Sequence, residues 1–254
     1  MKKSNLKSPF FLKYHRLISS LPEFKMPLEN YPIAWKKVYF KQYLRFPNYY
    51  LPLLKQIPKK NNLFQILSTR RTRRESNKKK LISPDELSWL LYFSAGINYL
   101  NKRSQHTRRM YPSGGARYPL ELYLIIFKKT CQLKPGIYHY NVKKHSLELI
   151  FRKSLFREVK KSLIIINRKI ISKNNIFLII TSVFGRSSIK YQELAYKFSL
   201  IEAGHLGQNI CLVAESLNLT SCPIGSLNEK QIAKLIDLEL DKELILYSFI
   251  LGKN

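Results

Sequence analysis

Two adjacent glycines set between prolines constrain this chain more than any other stretch: Tyr111-Pro112-Ser113-Gly114-Gly115-Ala116-Arg117-Tyr118-Pro119. Glycine reaches backbone angles closed to other residues and leaves its amide bare. A proline at each end fixes φ and stiffens the approach. Directly behind the loop runs Leu120-Glu121-Leu122-Tyr123-Leu124-Ile125-Ile126-Phe127, which reads as a core strand. A pliable loop on a rigid strand is either a plain tight turn or an amide-lined cradle for an anionic or planar group. The loop's own residues leave both readings open.

Punctuation elsewhere outlines the fold. Ser83-Pro84-Asp85-Glu86 predicts a capped helix start, Leu87, Leu90, Leu91 and Ala95 follow at helical spacing, and Gly96 stops the run. Residues 136–140 and 147–150 read as a hairpin, 154–170 as one basic amphipathic helix, and 176–184 as a buried strand. A long helix is expected over about 192–217. Gly204 and Gly207 inside it cost about 1 kcal/mol each relative to alanine, which close approach of another backbone or a ligand would offset. Ser226-Leu227-Asn228-Glu229 reads as a second capping box opening a short helix, and 244–251 as a closing strand. Strands and helices mix without regular alternation, so the expected class is α+β.

At 254 residues and 45% hydrophobic content the chain can bury a sizeable core, and bulk disorder is excluded. Seven of the 12 prolines precede residue 60, alongside Trp35, Tyr39, Phe40 and Tyr43. Residues 1–60 therefore read as an arm lying on a domain at 61–254. The net charge of +29 fits an acidic partner or a solvated surface of biased composition. The basic clusters at 70–80 and 102–109 lack any zinc-finger, RNP or heptad context, so specific nucleic-acid readout is not expected. Cys131, Cys211, Cys222 and five scattered histidines show no metal-ligand spacing, which points to a reduced protein without a metal. No apolar run approaches the roughly 20 residues that span a bilayer. The start is too polar for a signal peptide, so a cytoplasmic location is expected.

Three segments share one order: Arg70-Arg71-Thr72-Arg73-Arg74, the loop 112–123, and Lys190-Tyr191 followed by Glu202-Ala203-Gly204-His205-Leu206-Gly207-Gln208-Asn209. In that order and spacing the chain resembles the SagB-type (McbC-like) azoline dehydrogenases, FMN enzymes of the nitroreductase superfamily. The resemblance runs from about Tyr14-His15 to the C-terminus. It implies a nitroreductase-like α+β fold with a central, mainly antiparallel sheet flanked by helices. It also implies a homodimer holding FMN between subunits. By this resemblance Arg70, Thr72 and Arg74 meet the flavin, and arginine's planar fork suits its phosphate. Pro112, Ser113, Gly114 and Gly115 would contact the partner subunit's flavin, the backbone at Ile224 and Gly225 would approach it, and Lys253 would add a phosphate contact.

The implied reaction oxidises thiazoline or oxazoline rings to thiazole or oxazole in a ribosomally made precursor peptide, with a cyclodehydratase as partner. Lys190 and Tyr191 match the family's catalytic pair, taking the ring's proton while a hydride goes to FMN. A tyrosine with a pKa near 10 is a poor base, and a neighbouring ammonium would favour the phenolate. Adjacent helical residues point to different faces, so the pair is expected to converge only with Lys190 at a loop–helix junction. The alternatives are a general NAD(P)H-dependent nitroreductase and a basic scaffold that has lost catalysis. The chain departs from the family at Thr72, Gln192, Leu194, Lys197 and Glu202, where serine, glycine, arginines and aspartate are usual. His205 reads as a buried helix histidine, with a ligand contact as the other possibility.

Overall fold

A computed structural model describes residues 10–19, 32, 35, 39–52, 62–101, 107–130 and 133–254. Much of the expected arm at 1–60 lies outside the described residues, as do 102–106 of the second basic cluster and Cys131. The elements are α1 (Phe10–Ser19), β1 (Asn48–Tyr50), α2 (Leu63–Thr69), α3 (Pro84–Ala95), β2 (Ile97–Leu100), β3 (Thr107–Arg109), β4 (Leu120–Ile126), β5 (Gly136–Asn141) and β6 (Ser146–Phe151). They continue as α4 (Phe156–Ser162), α5 (Ile165–Ile170), β7 (Ile176–Val183), α6 (Gly185–Tyr191), α7 (Leu194–Ser216), β8 (Leu219–Ile224), α8 (Glu229–Ile236) and β9 (Glu243–Lys253).

Seven strands form one antiparallel sheet in the order β1-β6-β5-β4-β7-β9-β8, and β2 and β3 pair separately. The strand behind the glycine loop, β4, is central and buried at all seven positions. Its alternation divides two cores. Leu122, Leu124 and Ile126 pack with α3 and α7. Tyr123, Ile125 and Phe127 pack with α4 and α8. The class is therefore α+β, with helices on both faces of the sheet.

The cap of α3 forms as its sequence predicts. The Ser83 hydroxyl accepts from the Glu86 N–H at 3.2 Å, and the Glu86 carboxylate accepts from the Ser83 N–H at 3.0 Å. Two expectations change. The segment 154–170 is two helices, because Leu163 leaves the helical path to bridge Leu227 and the Ser162 carbonyl accepts from the Asn228 N–H. The same bridge extends the chain at Leu227, so α8 is capped by Asn228, which accepts from the Gln231 N–H at 3.0 Å, rather than by Ser226.

The two glycines of α7 differ. A Cβ on Gly207 would lie 2.9 Å from Tyr247 and 3.2 Å from Phe249, so its bareness lets α7 rest on β9. At Gly204 a Cβ would meet nothing within 4 Å. We expect Gly207→Ala to lower stability in urea unfolding, since overpacking costs about 1–3 kcal/mol against the ~1 kcal/mol of helix propensity gained. A variant more stable than wild type would contradict this packing.

Candidate functional site

The loop before β4 folds onto itself and onto α7. Gly114–Ala116 make a single tight helical turn, and the Ser113 hydroxyl closes the loop by accepting from the Tyr118 N–H at 2.8 Å. The Gly114 N–H donates to Glu202 Oε1 at 3.0 Å. Gly115 sits at φ +58°, and a Cβ there would collide with the Tyr191 hydroxyl and lie 3.1 Å from Lys190 Nζ. Its bareness therefore serves both a left-handed backbone and close approach by two side chains.

Those side chains are the pair singled out from sequence. Both lie in the last turn of α6 and converge over Gly115, so no loop–helix junction is needed. The lysine stem is long enough to bring Nζ within 5.2 Å of the Tyr191 ring and 5.3 Å of the Trp35 ring. Tyr191 stacks edge-to-face on Phe198, centroids 5.0 Å apart. Burial raises the Tyr191 pKa, Arg117 pulls it down and Glu202 pushes it up. The expected phenolate is thus not favoured: Arg117 pulls towards it, and burial outweighs that pull. Beyond the pair, Gln192 adopts φ +48° and ψ −129°, a glycine-like conformation at the position where the resembling family carries glycine.

A buried row of charges underlies α6. Arg186 NH1 lies 2.6 Å from Glu121 Oε1, and Glu121 Oε2 lies 2.9 Å from His139 Nε2. His139 Nδ1 lies 2.8 Å from Glu148 Oε2. Burial works to raise the Glu121 carboxyl, but Arg186 and His139 outweigh it and hold it at about 2. Burial likewise opposes the His139 imidazolium, yet hydrogen bonds to the two carboxylates raise its pKa. Arg186 also donates to the Tyr118 carbonyl at 3.1 Å, and Arg117 Nε donates to the Arg186 carbonyl at 2.7 Å. The row therefore ties sheet, α6 and glycine loop together.

The other expected site residues gather elsewhere. Arg70 caps α2, and the segment after it runs beside α7 and β8. Arg73 turns inward, pairing with Glu215 at 3.2 Å while its N–H donates to the Ser221 carbonyl. Thr72 and Arg74 are exposed. Burial raises the Cys211 and Cys222 thiols, against which Arg70 and Arg74 respectively act. Among the described residues neither Arg70 nor Arg74 has a carboxylate partner, and a Cβ on Gly225 would meet open space. Two uncommitted guanidiniums beside a free threonine hydroxyl suit a phosphate, so this donor set fits a phosphorylated cofactor. Ile224 is buried at the end of β8, its carbonyl accepting from Ser248. Lys253 lies at the opposite end of the β8–β9 ladder from Ile224, roughly 17 Å along the strand, and pairs with Glu86.

The two groups meet α7 at different levels. Glu202 serves the loop, whereas Cys211 and Glu215 meet the arginines, nine to thirteen residues or roughly 14–20 Å further along the helix. Between Pro112, Ser113, Phe198, Ile201, Glu202 and His205 opens a cavity of about 270 Å³. His205 is exposed at its edge, not buried as expected. Sequence reasoning passed over Glu121, His139, Glu148 and Arg186. The only signal was polar residues at inward positions of otherwise apolar strands.

Residues 67–253 match the nitroreductase family. The trifolitoxin-processing protein TfxB of Rhizobium leguminosarum bv. trifolii is 27% identical over 178 residues, 68% of this chain and 48% of that protein. The microcin B17-processing protein McbC of Escherichia coli is 28% identical over 138 residues, 52% of this chain and 49% of that protein. The match thus spans about half the length of each. A chain in the structure of the E. coli microcin synthetase McbBCD complex with truncated pro-MccB17 bound superposes with a TM-score of 0.61. It is 22% identical, with 98% of this chain and 94% of that chain covered.

The folded state raises the His139 pKa, so the imidazolium adds stability below the ordinary 6.5 and loses it as pH climbs through the raised value. Glu121, lowered from 4.5 to about 2, adds stability above pH 4.5 that fades as pH falls towards 2. In urea unfolding the stability gap between wild type and His139→Gln should be widest below the ordinary 6.5 and narrow as pH climbs through the raised value. A gap that widens with pH would argue against a charged His139.

Proposed function

The chain belongs to the nitroreductase family, and from that premise we propose that it is an FMN-dependent dehydrogenase converting thiazoline or oxazoline rings of a ribosomally made peptide to thiazole or oxazole. The observation that carries this reading is the convergence of Lys190 and Tyr191 on the bare backbone of Gly115. FMN, when bound, would supply the acceptor for the two electrons that leave the ring as hydride. Arg70 and Arg74 would hold its phosphate, with Thr72 between them. The backbone of Gly225 would leave room for a flat ring, and the Gly114-Gly115 loop would meet it from the partner subunit. Lys190 and Tyr191 would take the proton from the neighbouring ring carbon. Tyr191 packs on Phe198 and Lys190 lies over the Trp35 ring, so both are partly shielded from bulk water.

The separation of the two groups along α7 supports a homodimer, because one flavin would draw on both only across two chains. Tyr196, Leu200 and Ile201 on α7 and Leu63, Phe64 and Leu67 on α2 are exposed apolar residues that such a pair would bury. Two relatives process peptide toxins, and one structural neighbour comes from a synthetase complex with its peptide. That supports a precursor peptide and a cyclodehydratase as partners here. Among the described residues no helix is long and apolar enough to cross a membrane, and we assign the enzyme to the cytoplasm.

The test is conversion of a synthetic azoline peptide by the FMN-loaded protein, read as loss of two hydrogens per ring by mass spectrometry. Lys190→Ala and Tyr191→Phe should each lower turnover by roughly 10²–10⁴-fold with FMN affinity retained. Arg70→Ala and Arg74→Ala should each weaken FMN binding by roughly 10- to 100-fold, the effect of losing a charged hydrogen bond. Unchanged turnover in both pair variants would remove their assigned role. Oxidation of a reduced nicotinamide without any action on azolines would favour a general nitroreductase.

A further inference from the structure

A third ionisable group stands beside Lys190 and Tyr191. Glu202 projects from α7 one turn beyond Phe198, and its side chain is only 3% exposed. Its Oε1 accepts the Gly114 N–H at 3.0 Å. Its Oε2 is buried and has no hydrogen-bond partner among the described residues. The carboxyl is part of the wall of the cavity opened by Pro112, Ser113, Phe198, Ile201 and His205. From the position a Cβ would take on Gly114, Tyr191 Cε2 lies 3.7 Å away and Glu202 Oε1 3.9 Å, so both side chains press on one face of the loop.

Holding down the Gly114 amide needs one oxygen and no charge. A carboxyl brings a second oxygen with it, Oε2, and burying that oxygen is costly. The groups around Glu202 define its ionisation. Ser113 and the Gly114 amide favour the charged form, as does Arg109 from β3. Tyr111 and Tyr191 face it with no positive charge, and His205 stands at the cavity edge. Burial outweighs the favourable contacts and lifts the carboxyl to about 7. Tyr191, raised above its ordinary 10, keeps its own proton at neutral pH. A proton taken from a substrate at this site therefore needs a further acceptor, and a carboxyl poised at neutrality can both accept and release it.

We propose that Glu202 is the proton-exchanging carboxyl of this site, to which Lys190 and Tyr191 discharge the proton they take from a ring held in the cavity. The inference rests on the dehydrogenase reading and deepens it. The ring C–H bond would break and its proton would bond to the Tyr191 oxygen as that oxygen gives up its own proton to the ionised Glu202 carboxylate, with Lys190 held beside the tyrosine ring. The electron pair left behind would form the new ring double bond, and FMN, when bound, would supply the acceptor for the hydride of the adjacent carbon. The O–H bond so formed on Glu202 would then break, its proton passing to water. The ring loses one proton and one hydride, and the lysine–tyrosine pair returns to its starting state.

Glu202→Gln is the direct test, because it preserves the acceptor for the Gly114 N–H and removes only the exchangeable proton. Two readouts apply to the full chain with FMN bound. In infrared difference spectra of wild type, a protonated-carboxyl band should fade as pH passes about 7, and it should be missing from Glu202→Gln. Azole formation from a synthetic azoline peptide should rise through the same pH in wild type. In Glu202→Gln that inflection should vanish and turnover fall by roughly 10²–10⁴-fold with FMN retained. Glu202→Asp, which keeps the charge on a shorter stem, should recover part of the turnover with a moved inflection. The same pH profile in Glu202→Gln as in wild type, or no carboxyl titrating between about pH 6 and 8, would overturn the proposal. Should Glu202→Gln lose FMN, Glu202→Asp with FMN bound decides between the same outcomes. A wild type whose Glu202 band titrates but which oxidises no azoline would sink the dehydrogenase reading while upholding the exchanging carboxyl.

Discussion

Everything around the loop depends on one buried row of alternating charge: Arg186, Glu121, His139 and Glu148. A lone charge inside a protein is prohibitive, and such a row persists only when each member is held by its neighbours. Glu121 is gripped from both ends, by Arg186 and by His139. Glu148 accepts from Asn141 and from the Tyr43 N–H as well as meeting His139. The row crosses β4, β5 and β6 and ends on a helix, so it fixes where α6 begins. Lys190 lies one helical turn beyond Arg186, and the Arg186 carbonyl is itself held by Arg117 of the glycine loop. Helix and loop are thereby bound to the sheet and to each other, and a shift in one drags the charges out of register.

Two backbone positions at positive φ give the convergence over Gly115 its shape. The loop turns left-handed at Gly115, and the helix above it ends at Gln192 in a conformation glycine normally takes. A side chain on the first would collide with Tyr191, whereas the second keeps its side chain and accepts the strain. Retaining that angle without the glycine indicates that the end of α6 is dictated by what lies beneath it. The long helix α7 then spaces the rest. Phe198 and Glu202 serve the loop near its start, and Cys211 and Glu215 face the arginine segment near its end.

Local chemistry made much of the fold legible. The Ser83 cap, the hairpin of β5 and β6, β7 and α7 each carry a pattern that tertiary packing did not override. The breaks came where a distant partner decided the outcome. Leu163 leaves its helix to bridge Leu227, and the same contact moves the cap of α8 to Asn228. The candidate site followed the same division. The glycine pair and Lys190-Tyr191 were visible because they are contiguous. Glu121, His139 and Glu148 were hidden because strand pairing alone makes them neighbours. The role of Gly207 likewise depends on Tyr247 and Phe249, forty residues and more away.

The chain's charge has two separate domains of action. Of its 16 acidic residues, Glu121, Glu148, Glu202 and Glu243 are buried, whereas of its 45 lysines and arginines only Arg109, Arg117 and Arg186 are buried among the described residues. The buried basic groups Arg109, Arg117, Arg186 and His139 thus stand among four buried carboxyls, and Lys41 reaches in to pair with Glu243. A buried network of this kind is little screened by salt. Among the described residues only those three arginines of the basic side chains are buried, so the exposed charge of this +29 chain is strongly positive. An acidic partner would be drawn to that charge, and its attraction would weaken as salt rises. The proton chemistry within is set by burial and partners, and it would keep its pH dependence at salt concentrations that abolish the approach.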